Sequence, residues 1–122
     1  MKEKNKVILQ EEVLNENNLL IFIHVPEDNK VYAKIRFIKN NQIIEHYVAR
    51  LTMEEYLEGD RIVFNEDKTA LAVFKKNNDK EILENFYNIE EHSSESSDFI
   101  DCAYNLFFKN KVDENFQLIK NN

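Results

Sequence analysis

The chain has 122 residues, a formal net charge of −7 at pH 7, 43% hydrophobic residues, and nine Phe beside five Tyr. This length suits one domain, and the apolar and aromatic content excludes an intrinsically disordered chain. The low counts of one Gly, one Pro and one Cys exclude Gly-rich phosphate-binding loops and an internal disulfide framework.

Several further properties limit where the protein acts. No apolar run approaches the roughly 20 residues that cross a bilayer, and the basic start of the chain is not followed by a small-residue cleavage site. A single Cys is typical of a reducing compartment. Seventeen Asn against five Ala indicate an AT-rich coding sequence, such as that of a low-GC bacterium or one of its phages. We therefore expect a cytoplasmic protein.

The first half of the chain has the pattern of an antiparallel sheet. Runs of β-branched and aromatic residues suit a pleated surface. Turns are predicted at 26–29 and at the Asn40–Asn41 pair, because Asn and Asp tolerate positive φ and Pro presets its own φ. Together these signals predict a four-stranded meander, with strands over 7–13, 19–25, 31–38 and 43–51.

A short helix is predicted next, over 53–58. Thr52 and Glu55 have the spacing of a capping box, in which each side chain accepts a hydrogen bond from the other residue's backbone N–H. Gly59 stands where a left-handed residue ends a helix. A hairpin over 61–65 and 70–75 is expected to follow.

The last third is predicted to be helical. Asn78 can cap a helix over 79–91, in which apolar residues recur at helical spacing. A second helix begins at Ser97 or Asp98, and its nearly continuous apolar surface predicts deep burial. Three apolar residues are expected to anchor a short C-terminal segment: Val112, Phe116 and Ile119.

The predicted fold class is therefore α+β. It consists of an antiparallel β-meander of about four strands plus a hairpin, with C-terminal helices packed on one sheet face. No repeat or linker divides the sequence, so residues 1–122 are assigned to a single domain.

The turns also predict how the strands pair. If the turn at 26–29 places Val25 opposite Val31, one face of the sheet is apolar throughout. Across the second turn, Arg36 opposite Glu45 is a favourable cross-strand pair. The other face, called the outer face here, then collects these side chains: Leu20, Phe22, His24, Tyr32, Lys34, Arg36, Glu45 and Tyr47.

Three interpretations of the outer face stay open. It is an ordinary solvent-facing sheet with snorkelling cations, a contact with a partner protein or a second copy, or a surface for single-stranded nucleic acid. In the last case aromatic rings stack on bases and cations hold phosphates. The residues assigned to that alternative are Phe22, His24, Tyr32, Lys34, Arg36 and Tyr47.

Charge is distributed unevenly along the chain. Residues 1–50 carry eight basic and seven acidic side chains, whereas the stretch 79–101, called the acidic segment here, carries eight acidic side chains and one Lys. Such a segment is either a solvated helix face or a docking surface that attracts a basic partner and repels phosphates. The residues assigned to docking are Glu81, Glu84, Glu90, Glu91, Glu95, Asp98 and Asp101.

Residues with catalytic chemistry are few and are interpreted as structural. The predicted register places His24 and His46 on opposite faces, and the motifs typical of metal sites are missing from the sequence. Cys102 lies in the most apolar predicted helix, where a thiol is inert. The carboxylates at 54, 55, 58 and 60 fall on cap and surface positions. We therefore predict no catalytic residue, no metal and no cofactor.

These observations favour a binding protein without catalysis. We expect a small inhibitor, immunity or regulatory protein that docks on a basic protein through the acidic segment. The first alternative is a single-stranded nucleic-acid-binding module that uses the outer face. The second is a small enzyme whose site the sequence does not reveal, for which a pocket holding His24 or His46 beside a carboxylate would be the sign. A homodimer through the outer face is a further expectation, and no membrane contact is expected.

Overall fold

The computed structural model describes residues 6–95 and 98–109. The chain divides into two compact units, Met1–Arg61 and Ile62–Asn122. Each unit contains one four-stranded antiparallel sheet whose strands follow chain order. The described chain is thus mostly β with little helix, which agrees broadly with the predicted α+β class. The assignment of all residues to one domain stays a prediction.

The first unit is the predicted meander followed by the predicted short helix. Its elements are β1 (Val7–Asn15), β2 (Asn18–Val25), β3 (Lys30–Lys39), β4 (Gln42–Thr52) and α1 (Met53–Glu58). Asn40 and Asn41 have φ values of 53° and 62°. Because the tightest hairpin turn requires positive φ at both central residues, this Asn pair confirms the predicted turn.

The capping box of α1 is also confirmed. Thr52 Oγ1 accepts a hydrogen bond from the Glu55 backbone N–H at 3.0 Å, and Glu55 Oε1 accepts one from the Thr52 N–H at 2.9 Å. Gly59 ends the helix in the left-handed region, with φ of 73°. The helix lies against the first sheet, where the rings of Tyr56 and Phe22 have centroids 5.0 Å apart.

The register between β2 and β3 differs from the prediction by one residue. The turn encloses residues 26–29, and Val25 pairs with Lys30 instead of Val31. Between β3 and β4, Arg36 pairs with Glu45 and Lys34 with Tyr47, as predicted. Beyond that point a bulge makes Tyr32 pair with Arg50. A one-residue shift moves every side chain of β2 to the opposite face of the sheet relative to β3.

Both faces of β2 are buried, which explains why its sequence did not reveal its orientation. Ile21 and Ile23 on one face and Leu20 on the other are each at most 1% exposed. A strand buried on both sides has a continuous apolar run with no alternation. Either register therefore places apolar residues on both faces, so the sequence of β2 alone does not select one of them.

The second unit contains β5 (Ile62–Phe64), β6 (Ala70–Asn77), β7 (Lys80–Asn88), β8 (Ser93–Ser94) and α2 (Ile100–Tyr104). One π-helical turn, Asn105–Lys109, follows α2. The hairpin of β5 and β6 is the predicted one. The unit's aromatic core includes Phe86, which is 1% exposed and has its ring centroid 5.3 Å from that of Phe107.

The predicted helix over 79–91 is wrong, because most of this segment forms strand β7 and its ends form turns. Asn78 and Asp79 have φ values of 51° and 67°, so they form a hairpin turn and not a helix cap. The β6–β7 pairing shifts between Val73 and Phe74, leaving Glu84 as an extra residue in β7. Such a bulge interrupts the two-residue alternation. The apolar positions of β7 therefore imitate helical spacing.

The C-terminal helix is shorter and less buried than predicted. It begins at Ile100. Phe99 occupies the N-cap position, where its side chain makes no capping hydrogen bond, and none of the helix residues is fully buried. Phe99 is 61% exposed. The helix contacts the second sheet, with the Phe74 and Tyr104 rings 5.6 Å apart. Packing of a C-terminal helix on the meander stays a prediction, and the anchor residues Val112, Phe116 and Ile119 lie outside the described residues.

Candidate docking surfaces

The acidic segment runs along a strand, a turn and the start of a helix. Its seven assigned carboxylate side chains are all exposed. Glu81 and Glu84 lie in β7, Glu90 and Glu91 in the turn after it, and Glu95 follows β8. Two more lie near the start of α2: Asp98 and Asp101. The helix predicted over 79–91 does not carry these charges, because strand β7 replaces it.

The strand spreads the charges much farther than a helix would. At about 3.3 Å per residue, β7 separates Glu81 from the turn at Glu90 by about 25–30 Å. Glu81 also pairs across the sheet with Lys76, so cations flank the charge at that end. The acidic character is therefore concentrated at the other end, around Glu90 and Glu91.

A neighbouring loop adds two carboxylates at this acidic end. The backbone N–H of Ile89 donates to the carbonyl of Thr69 at 2.8 Å, which ties the β7–β8 turn to the β5–β6 loop. Glu66 and Asp67 in that loop are exposed. A cleft of about 510 Å³, called the acidic cleft here, is lined by Asn65, Glu66, Asp67, Thr69, Glu90, Leu106 and Phe107.

The loop that holds Asp67 is internally hydrogen-bonded. Oδ1 of Asp67 accepts from Nδ2 of Asn65 at 2.9 Å and from Oγ1 of Thr69 at 2.7 Å. Asn65, which is 8% exposed, also accepts from the Ala70 backbone N–H at 2.9 Å. The hydrogen bond from the Thr69 hydroxyl is the main cause that lowers the pKa of Asp67 below its usual value. The Asp67 carboxylate at the cleft is therefore ionised at neutral pH.

The acidic cleft was not predicted from the sequence. The spacing of Asn65, Asp67 and Thr69 is a signal for a side-chain-bonded turn, and it marks a loop correctly. The contribution of Leu106 and Phe107 depends on where the C-terminal helix lies, which sequence spacing alone does not give.

The outer face of the sheet is divided by the observed register. Tyr32, Lys34, Arg36 and Tyr47 share one face with Ile21 and Ile23. Phe22 and His24 lie on the opposite face, where Phe22 contacts Tyr56. The six residues assigned to nucleic-acid binding therefore do not form one surface.

The two cations of this face are held by one carboxylate. Glu45 accepts from Nζ of Lys34 at 3.0 Å and from Nε of Arg36 at 2.8 Å. The Lys34 side chain is 1% exposed and its Nζ lies 5.8 Å from the centre of the Tyr47 ring. A phosphate would therefore have to displace Glu45 from both cations before it could bind them.

The histidines occupy separate environments. Nε2 of His24 donates to Oδ1 of Asn29 at 3.2 Å. The His46 ring packs edge-on against Phe37, with centroids 5.2 Å apart. The observed register places both on one face of the sheet. Their pairing partners in β3 are four residues apart, which separates the two histidines by about 13 Å along the strand direction. Among the described residues no group of three or more His, Cys, Asp or Glu could hold a metal ion.

Cys102 and the carboxylates of α1 have local roles. Cys102 is half-buried and lines a cleft of about 260 Å³ with Phe99, Ala103 and Leu106. Glu55 caps α1 and also forms an ion pair with Arg61, which is 8% exposed. The structural interpretation of the carboxylates around α1 therefore agrees with the contacts of Glu55.

Comparisons with known proteins identified no relative of this chain. A scan against protein-family models, a search of curated proteins and a search of solved structures each found no match. In the part of the chain that the structure describes, no helix has the length and apolar character needed to cross a membrane.

Proposed function

We propose that this protein is a non-catalytic, cytoplasmic binding protein, of the inhibitor, immunity or regulatory kind, that docks on a basic protein partner. The acidic segment supplies the field that attracts the partner, and the acidic cleft is the centre of the contact. The observation that carries the proposal is the combination in one cleft of Glu66, Asp67 and Glu90 with Leu106 and Phe107.

The chemistry of the acidic cleft suits a Lys or Arg side chain. Such side chains bury an apolar stem while the charged end stays polar. In the cleft the stem would pack on Leu106 and Phe107, and the charge would meet the carboxylates. The exposed carboxylates at 91, 95, 98 and 101 extend the field beyond the cleft and would increase the rate of association.

A basic model peptide tests the proposal directly. Stopped-flow fluorescence would measure its association rate, using a labelled peptide of Lys and Leu at ~50 mM salt, where electrostatic steering is strong. The cleft variant carries Glu66→Gln, Asp67→Asn and Glu90→Gln. The matched control carries Glu11→Gln, Glu27→Gln and Glu54→Gln, which change the net charge equally at exposed positions of the first unit.

We expect the cleft variant to slow association by about tenfold and the control by less than about twofold, with both effects shrinking at ~500 mM salt. Equal slowing in the two variants would mean that only net charge matters, and the proposed site would be wrong. Tight binding of a labelled single-stranded oligonucleotide at ~50 mM salt would favour the nucleic-acid alternative instead.

A further inference from the structure

A second surface lies on the first unit, at the end of the sheet that carries the β1–β2 and β3–β4 turns. Val13, Ile38 and Ile43 are 72%, 65% and 68% exposed, and Leu19 is half-buried beside them. Val13 pairs with Leu19, and Ile38 pairs with Ile43. The register places all four on the same face, and we call them the hairpin-end patch. Aliphatic side chains on adjacent strands at this exposure are typical of contact surfaces.

The hairpin-end patch has a hollow beside a projection. A cleft of about 270 Å³ at this end of the sheet is lined by Val13, Leu19, Phe37 and Ile38, with Glu16 and Arg36 among its polar residues. Ile43, the cross-strand partner of Ile38, lies next to the cleft and is mostly exposed. The same surface therefore offers an apolar side chain and a cleft that can receive one.

A surface with both parts is complementary to itself. A two-fold contact uses the same patch on both copies, so each feature must meet its complement across the axis. Glu16 and Arg36 satisfy the same requirement in charge, since they have opposite sign and line the same cleft. Around the patch Lys34 and Arg36 balance Glu16 and Glu45, so the local charge does not add to the repulsion between two copies of a −7 chain.

We propose that two copies of this chain associate through the hairpin-end patch. Ile43 of each copy enters the cleft of the other, and Glu16 faces the partner's Arg36. Stable interfaces bury about 800 Å² on each partner, more than four aliphatic side chains with a polar rim supply. The dimer is therefore weak, with a Kd on the order of 10 μM to 1 mM. This contact is separate from the acidic cleft, so neither proposal depends on the other.

Sedimentation velocity of the full chain tests the dimer, over ~10 μM to ~1 mM protein, the range in which a weak interface is half-occupied. We expect the sedimentation coefficient to rise with concentration toward that of a dimer. Ile43→Lys and, separately, Val13→Lys should raise the Kd at least about tenfold, because each places a charge in an apolar contact. Ile82→Lys is the matched control, because Ile82 is an exposed residue of the second unit. This variant should dimerise as the wild type does.

Circular dichroism of each variant confirms that the fold is retained. A wild type that stays monomeric over the whole range would overturn the proposal, and the patch would then be left to a different occupant. Dimerisation of both the Ile43 and the Val13 variants with wild-type affinity would also overturn it, because the contact would lie elsewhere.

Discussion

Nζ of Lys34 donates to Oε1 of Glu45 at 3.0 Å, although the Lys34 side chain is only 1% exposed and that of Glu45 is 30% exposed. An ammonium group is removed from water at this point and is stabilised by a carboxylate at the edge of the solvent. Removal of one partner from such a pair costs more than the pair itself contributes, because the remaining charge is left buried.

Glu45→Gln should therefore destabilise the protein by about 2 kcal/mol, below the roughly 3–5 kcal/mol for broken pairs that are fully buried, because Glu45 is 30% exposed. Lys34→Met should cost less than this, since it removes the buried charge and keeps most of the side-chain volume. Urea unfolding at pH 7 measures both. Equal destabilisation by the two variants would contradict the argument from buried charge.

The lowered pKa of the same carboxylate predicts how the stability of the protein changes at acidic pH. Burial acts to raise the pKa of Glu45, but hydrogen bonds and charges from Lys34 and Arg36 outweigh it and hold the pKa below its usual 4.5. A carboxyl with a lowered folded pKa contributes stability above its unfolded pKa and loses it as pH falls through the folded value. The difference in unfolding free energy between wild type and Glu45→Gln should therefore shrink below about pH 4.5. A difference that is independent of pH from 7 to 3 would contradict the assigned ionisation.

The capping box gives a local stability test. Thr52→Ala removes the acceptor for the Glu55 backbone N–H and should lower the unfolding free energy by about 1 kcal/mol. Thr52→Ser keeps the hydroxyl and should retain most of the stability. Thermal unfolding followed by circular dichroism compares the three proteins. If the Ser variant were as unstable as the Ala variant, the methyl group and not the cap would be the cause.

Gly59 tests backbone strain without a steric clash. A Cβ at this position would meet no atom within 4 Å, but φ is +73°. Gly59→Ala should therefore cost about 1 kcal/mol through the left-handed conformation alone. Gly59→Asn should cost less, because Asn visits that region more readily. Urea midpoints measure both variants, and an Ala variant as stable as the wild type would exclude strain at this position.

Burial of Tyr87 predicts that the protein loses stability at alkaline pH. Its side chain is 1% exposed, and burial raises its pKa from 10.0 to about 12. A raised folded pKa means that the stability it contributes is fully present below pH 10 and is lost as pH rises through about 12, since the unfolded chain ionises first. Tyr87→Phe should remove this part of the alkaline destabilisation. Unfolding at pH 9, 10 and 11 measures the change, and an unchanged slope would contradict it.

The predictions from sequence succeeded where a few adjacent residues determine the geometry. Thr52, Glu55 and Gly59 define α1 through hydrogen bonds and a backbone angle that lie within eight residues of chain. The Asn40–Asn41 turn and the opposition of Arg36 and Glu45 are equally local. In each case the physical cause acts between neighbours in sequence or directly across one tight turn.

The predictions failed where the cause lies in a partner strand. Asn78 and Asp79 can serve as a helix cap or as a hairpin turn, and pairing of β7 with β6 selects the turn. The bulge at Glu84 depends on the same pairing. The sequence over 79–91 is therefore compatible with a helix, and pairing with the neighbouring strand β6 selects a strand instead.

The sequence by itself determined the four-stranded meander, the capped helix over 53–58 and the concentration of acidic residues between 79 and 101. Only the tertiary structure decided the orientation of β2, the strand identity of β7 and the meeting of Glu66, Asp67 and Glu90 in one cleft. The reason is that a one-residue change in a turn, or one extra residue in a strand, costs little locally. It nevertheless redirects every side chain beyond it, and only the packing of the whole sheet selects between the alternatives.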